Sequence, residues 1–125
     1  MRNLKILVIA ALLLSLVATS RAASWDGTWN SASAKYIIYS GGLGDMIPPE
    51  GNRKKIAIEI AGAAAKDIFN SIGPDIADIC GSGDGMRIRK KNDGALSCSR
   101  SVKGEYYCNI GFDLKTGKSI AGVIC

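Results

Sequence analysis

The sequence predicts a small α+β protein, with one α-helix packed on an antiparallel β-sheet and two disulfides holding the sheet together. Three observations point there. Residues 85–125, GMRIRKKNDGALSCSRSVKGEYYCNIGFDLKTGKSIAGVIC, read as a meander of four short strands joined by tight turns. A single stretch, residues 62–72, carries helical periodicity, and it follows an isoleucine-rich strand. Four cysteines in a chain of 125 residues with a leader-like start are most simply two disulfides.

Residues 1–22 read as a cleaved secretory signal. Arg2 and Lys5 form a charged start, residues 6–18 are apolar except for Ser15, and small residues follow. The apolar run falls short of the ~20 residues that a transmembrane helix needs. Cleavage after Ala22 would leave Ser20 and Ala22 at the third-last and last positions, and residues 23–125 as one domain. Removing Arg2, Lys5 and Arg21 leaves 13 basic residues against 11 acidic ones, a net charge of +2. Such a small excess argues against a general nucleic-acid binder. The expected compartment is therefore extracellular or periplasmic, with the membrane involved only through the leader.

Trp25 and Trp29 stand four apart in SWDGTWN, and the pair is expected to anchor onto the core. Residues 34–40, AKYIIYS, suit a strand because they are β-branched and aromatic. Residues 41–53, GGLGDMIPPEGNR, read as an irregular loop that presents Met46 and Ile47 for recognition. The glycines there lack the Gly-Lys-Ser/Thr of a phosphate loop. Residues 54–60, KKIAIEI, form the clearest strand, with Ile56, Ile58 and Ile60 on one side. The helix over 62–72 then places Ala65, Ile68, Phe69 and Ile72 on one face, and Gly73-Pro74 ends it. Residues 75–80 fit either a further helical turn or a link to the meander. Asp75, Asp78 and Asp84 lack the alternation and closing glutamate of a calcium loop.

Turn chemistry sets the register of the meander, because a one-residue slip sends every side chain to the other face. A three-residue loop at Val102-Lys103-Gly104 pairs Leu96 with Ile110 and Cys98 with Cys108. The same loop type at Asn92-Asp93-Gly94 aligns Ile88 with Cys98. A two-residue Thr116-Gly117 loop sets Ile110 against Val123, Phe112 against Ala121 and Cys108 against Cys125. These turns agree on an apolar face of Met86, Ile88, Leu96, Cys98, Tyr106, Cys108, Ile110, Phe112, Leu114, Ala121, Val123 and Cys125. They leave Arg87, Arg89, Lys91, Ser97, Ser99, Tyr107, Asn109 and Asp113 facing water. The register favours disulfides Cys108–Cys125 and Cys80–Cys98, with Cys98–Cys108 plus Cys80–Cys125 as the alternative. No CxxC and no histidine occur, so structural zinc is not expected, nor is any other metal or cofactor.

The lack of histidine also removes Ser-His-Asp, Cys-His and histidine-based nuclease chemistry. A carboxylate pair drawn from Glu50, Glu59, Asp67, Asp75, Asp78, Asp84 and Glu105 would be needed for glycoside hydrolysis, and the sequence selects no pair. What the pattern offers instead is a basic, aromatic-bearing surface of Arg87, Arg89, Lys91, Tyr107 and Asn109, suited to protein recognition. The expected function is a non-enzymatic binding module that inhibits or sequesters a partner protein, such as a toxin or a cell-wall hydrolase. The alternatives are a small cell-wall glycan hydrolase and a structural envelope protein. The alanine-rich helix after an isoleucine strand and the SCSRS…YYCNIGFDLKTGKS meander resemble, in style, small disulfide-bonded bacterial periplasmic proteins. Some of those are lysozyme inhibitors or immunity proteins, although the barrel-type lysozyme inhibitors lack a helix such as the one at 62–72.

Overall fold

The computed structural model describes residues 24–77, 81, 83 and 85–124. The chain divides into two units, Met1–Asn30 and Ser31–Cys125. In the first unit, the described residues carry no regular secondary structure. Trp25 and Trp29, which the sequence led us to expect as buried anchors, are 92% and 96% exposed there. The proposed signal peptide and its cleavage site lie outside the described residues.

The second unit is an antiparallel sheet with one helix on it. Its elements are β1 (Ser33–Gly42), β2 (Asp45–Ile47), β3 (Lys55–Ala61), α1 (Ala63–Ser71), β4 (Arg87–Lys91), β5 (Leu96–Arg100), β6 (Tyr106–Asp113) and β7 (Ser119–Ile120). The spatial order is β2-β1-β3-β6-β5-β4, and β7 also pairs with β6. β6 is therefore bordered by β3 along its length, while β5 and then β7 share its other edge. The α+β class, the helix and the four-strand meander match the sequence reading. Within residues 41–53 the chain is less irregular than expected, since β1 and β2 form a hairpin around Leu43-Gly44.

The core forms where α1 crosses one end of the sheet. Ala65, Phe69, Cys98 and Cys108 are fully buried together, with Ile60, Ile68, Ile72, Leu96 and Tyr106 packed against them. The helical face predicted from spacing is the one that is buried. Phe69 meets the Tyr106 ring edge-on at 5.3 Å. Gly62 starts the helix with φ 73, a conformation that favours glycine, while its amide donates to the Tyr106 carbonyl at 3.2 Å.

Each turn of the meander decides one register, and two of the three differ from expectation. Val102-Lys103-Gly104 is the three-residue loop predicted, and it pairs Leu96 with Ile110 and Cys98 with Cys108. The 92–95 turn takes four residues instead of three. Asn92 and Asp93 (both φ 51) and Gly94 (φ 87) are left-handed, and the Ala95 amide closes the loop onto the Asn92 carbonyl at 2.9 Å. The extra residue slips β4 by one, so Arg89, not Ile88, faces Cys98, and Ile88 faces Ser99. At 114–117 the loop also has four residues. The Asp113 carboxylate accepts from the Lys115 and Thr116 amides at 2.8 and 3.0 Å, and the Gly117 amide bonds the Asp113 carbonyl. That even shift preserves the faces but sets Ser119, not Ala121, against Phe112.

The disulfide follows from these registers. Cys98–Cys108 is bonded across the β5–β6 pair, with the Cα atoms 4.0 Å apart. The Ser101 amide bonds the Glu105 carbonyl, which makes alternate pairs hydrogen-bonded and leaves 98/108 a close, non-hydrogen-bonded site. The favoured pairing of Cys108 with Cys125 and Cys80 with Cys98 is thereby corrected. Cys80 and Cys125 themselves lie outside the described residues. Leu114 and Val123, expected on the apolar face, are 48% and 37% exposed.

Candidate functional site

The slip in β4 rearranges the surface expected from the sequence. Arg87, Arg89 and Lys91 lie on the helix-bearing face, in line with Arg100, Cys98 and Leu96. Tyr107 and Asn109 stay on the far face, opposite Ser99 and Ser97. One basic-aromatic surface therefore becomes two separate groups.

Arg89 is drawn inward and fully engaged. Its side chain is only 15% exposed. Its Nη1 donates to the Phe69 carbonyl at 2.7 Å, its Nε donates to Asp75 Oδ1 at 2.6 Å, and its guanidinium stacks 4.2 Å from the Phe69 ring centroid. The Phe69 carbonyl belongs to the last turn of α1, where it receives only a long, shared bond from the Ile72 amide at 3.4 Å and the helix dipole favours a cation. The last turn contains no basic residue, so β4 supplies the charge from outside the helix. Arg87 grips the same carboxylate through Nε (2.7 Å) and Nη2 (3.2 Å) and remains more open, at 43%. The hydrogen bonds from Arg87 and then Arg89 hold the Asp75 carboxyl down at about 2. This cluster fastens the 72–76 segment to β4, where the Ile76 amide also bonds the Ile88 carbonyl at 2.8 Å.

The other carboxylates named from the sequence have local duties or stand apart. Glu50 pairs with Arg53 at 2.6 Å and Glu59 with Lys35 at 2.9 Å. Asp67 and Glu105 are exposed on the helix and on the 101–105 turn. Asp113 is held below its ordinary value chiefly by the Thr116 amide. Asp78 and Asp84 lie outside the described residues. Among the described residues no group of three or more potential metal ligands occurs.

The surface that sequence reasoning missed lies on the helix-bearing face beyond α1. Alternation and register put Tyr36, Ile38, Ile56, Ile58, Ile110 and Phe112 on this face, with Ile47 continuing it through its pairing with Ser40. None of them belongs to the helix-centred cluster. Ile56, Ile58, Ile110 and Phe112 are half-buried, and Tyr36, Ile38 and Ile47 are exposed at 71%, 37% and 42%. Size explains the opening. A nine-residue helix is about 14 Å long, whereas six strands at about 4.8 Å spacing span roughly 24 Å. The loop that follows β2 bounds this floor, because the buried Ser40 hydroxyl accepts from the Glu50 amide (3.1 Å) and donates to the Arg53 carbonyl (3.2 Å). Of the two exposed residues singled out from sequence, Ile47 belongs to this floor. Met46 is 40% exposed and pairs with Gly41, so it lies on the far face.

Among the described residues, shallow depressions flank the sheet. One, of about 400 Å³, lies between the start of α1 and the 104–107 segment. Another, about 350 Å³, is lined by Gly41, Ile47, Asn52, Arg53, Lys55, Asp113 and Lys115. In the second, Lys55 donates to the Gly41 carbonyl and Arg53 to Glu50, so two of its three cations are committed within the protein. No protein-family model, curated protein or solved structure matches this chain.

Proposed function

We propose that this is an exported, non-enzymatic binding module that docks a partner protein on the open half of its helix-bearing sheet face. The carrying observation is the apolar floor of Ile56, Ile58, Ile110 and Phe112, edged by Tyr36, Ile38 and Ile47 and uncovered by the helix. Contiguous apolar surface on a small domain marks an interaction site, since leaving it in water forgoes roughly 25 cal/mol per Å². Lys91 on the same face supplies a basic flank. The partner is a folded protein that presents an apolar ridge with acidic residues beside it. The export signal read from residues 1–22 puts the encounter outside the cytoplasm, where an inhibitor or immunity role toward a toxin or cell-wall hydrolase fits a small disulfide-bonded protein.

The hydrolase alternative needs a carboxyl raised toward neutrality in a cleft. Glu50, Glu59 and Asp75 are each tied to a cation, and hydrogen bonds from Arg87 and Arg89 hold the Asp75 carboxyl below its ordinary value. That disposition favours the binding reading. The test is capture of a stoichiometric partner from periplasmic extract by the oxidised mature protein. Ile47→Lys with Ile56→Lys is expected to abolish capture, and Lys66→Glu on the exposed side of α1 to leave it intact. Unchanged capture by the floor variant sinks the reading. Retention of glycan without any protein sinks it too.

A further inference from the structure

We infer that two copies of this chain join through the outer edge of β1, extending the sheet across a two-fold axis centred on Tyr36. β1 pairs with β2 over Ser40–Gly42 and with β3 over 33–39, and among the described residues no strand lies on the other side of 33–39. The β1–β2 hairpin identifies which backbone groups face the open edge. A two-residue loop is closed by a hydrogen-bonded pair, here Gly42 and Asp45, so even-numbered residues of β1 point away from β3. The N–H and C=O groups of Ala34, Tyr36 and Ile38 therefore line that edge.

Among the described residues this edge lacks the usual protections. Residues 33–39 contain no proline and no bulge, and the one charge, Lys35, is drawn across the sheet to Glu59 at 2.9 Å. The exposed side chains at its centre are apolar: Tyr36 at 71%, Ile37 at 48% and Ile38 at 37%.

The open stretch is also suited to a second copy of itself. A two-fold axis normal to the sheet keeps like faces together, so only registers pairing residues of the same face are allowed. Centred on Tyr36, the antiparallel pair sets Tyr36 against Tyr36, Ala34 against Ile38 and Lys35 against Ile37. All the outward N–H and C=O groups of both strands are then used. Centred on Lys35, the pair would oppose two like charges. Centred on Ile37, it would set Ala34 against Ser40, whose outward groups β2 already takes. The Tyr36 register avoids both faults and ends where β2 begins. It also sets the two apolar floors side by side on one surface. The inference stands on the strand edge and does not depend on the partner reading.

The test is sedimentation of the oxidised mature protein over roughly three decades of concentration, because self-association moves with mass action. A reversible dimer is expected, with amide protection at Ala34, Tyr36 and Ile38 rising as it forms. Tyr36→Pro removes an outward donor without touching the β3 ladder and is expected to leave a folded monomer. Ile37→Glu places an acid opposite Lys35 of the other copy and should tighten the dimer about fivefold; Ile37→Lys should weaken it by a similar factor or more. A monomer at every concentration overturns the inference, and so does a dimer indifferent to Tyr36→Pro. Equal weakening by Ile37→Glu and Ile37→Lys overturns the Tyr36 register. Protection of the β1 amides only on adding a different protein shows a foreign strand at this edge instead.

Discussion

Replacing Arg89 by Met should destabilise the protein by about 3 kcal/mol, a large effect for a residue that reads as a surface cation. Three interactions disappear while most of the aliphatic packing is retained. The charged hydrogen bond to the Phe69 carbonyl, at 2.7 Å and partly buried, contributes roughly 1.5–3 kcal/mol. The stacking over the Phe69 ring at 4.2 Å adds about 0.5–1 kcal/mol. The ion pair with Asp75 adds little, since solvent screens the exposed carboxylate. These contributions overlap, which is why the total lies below their sum. With a urea m-value near 1 kcal/mol/M for a domain of this size, the midpoint should fall by about 3 M at unchanged m. Hydrogen exchange should quicken first in the last turn of α1, which loses the cap that Arg89 places on the Phe69 carbonyl. Arg87→Met, which leaves the helix end untouched, should cost a fraction of this. A loss below about 0.5 kcal/mol for Arg89→Met, or an equal loss for Arg87→Met, would refute the inward placement of β4.

Three further outcomes are expected. The Asp75 carboxyl is depressed to about 2 from an ordinary 3.8, so its stabilisation is complete above the ordinary value and is lost as pH falls through about 2. Denaturation titrations between pH 5 and pH 2 should show that loss, and Asp75→Asn should flatten the acid limb. Gly111→Ala should cost about 1–3 kcal/mol in equilibrium unfolding, because the added methyl carbon would lie 2.8 Å from the Ala121 carbonyl oxygen and 2.9 Å from that of Ile120. Replacing Cys98 and Cys108 together by Ala should lower stability by about 2–3 kcal/mol, the chain-entropy value for a loop with a sequence separation of 10. Peptide mapping of the oxidised wild type should recover Cys98 and Cys108 in one linked fragment.

Local pattern was enough to read the strands, the helix and the inner face of the helix, because alternation and 3.6-residue spacing act within a few residues. The 102–104 loop was legible for the same reason: Gly104 takes the left-handed position (φ 83) in the loop length that glycine favours. The 92–95 turn was not, because Asn92 and Asp93 also adopt positive φ and absorb one residue more. That extra residue is stabilised by contacts remote in sequence, with Arg89 reaching Phe69 and Asp75, and Ile88 bridging to Ile76. Asp113 misled in a similar way, since its side chain accepts from two turn amides and lengthens the loop by two residues. The apolar floor was hidden for another reason. Sequence periodicity identifies which side chains face the helix side of a sheet, but only helix length measured against sheet width tells which of them the helix covers.

The measurement that bears most directly on the docking face is hydroxyl-radical footprinting of the oxidised protein with and without its captured partner. The account predicts lower side-chain oxidation at Ile38, Ile47 and Phe112, and no change at Val102, which is 69% exposed on the 101–105 turn. Protection at Val102, or confined to Tyr107 and Asn109 on the far face, with Ile38, Ile47 and Phe112 oxidised as before, would contradict it.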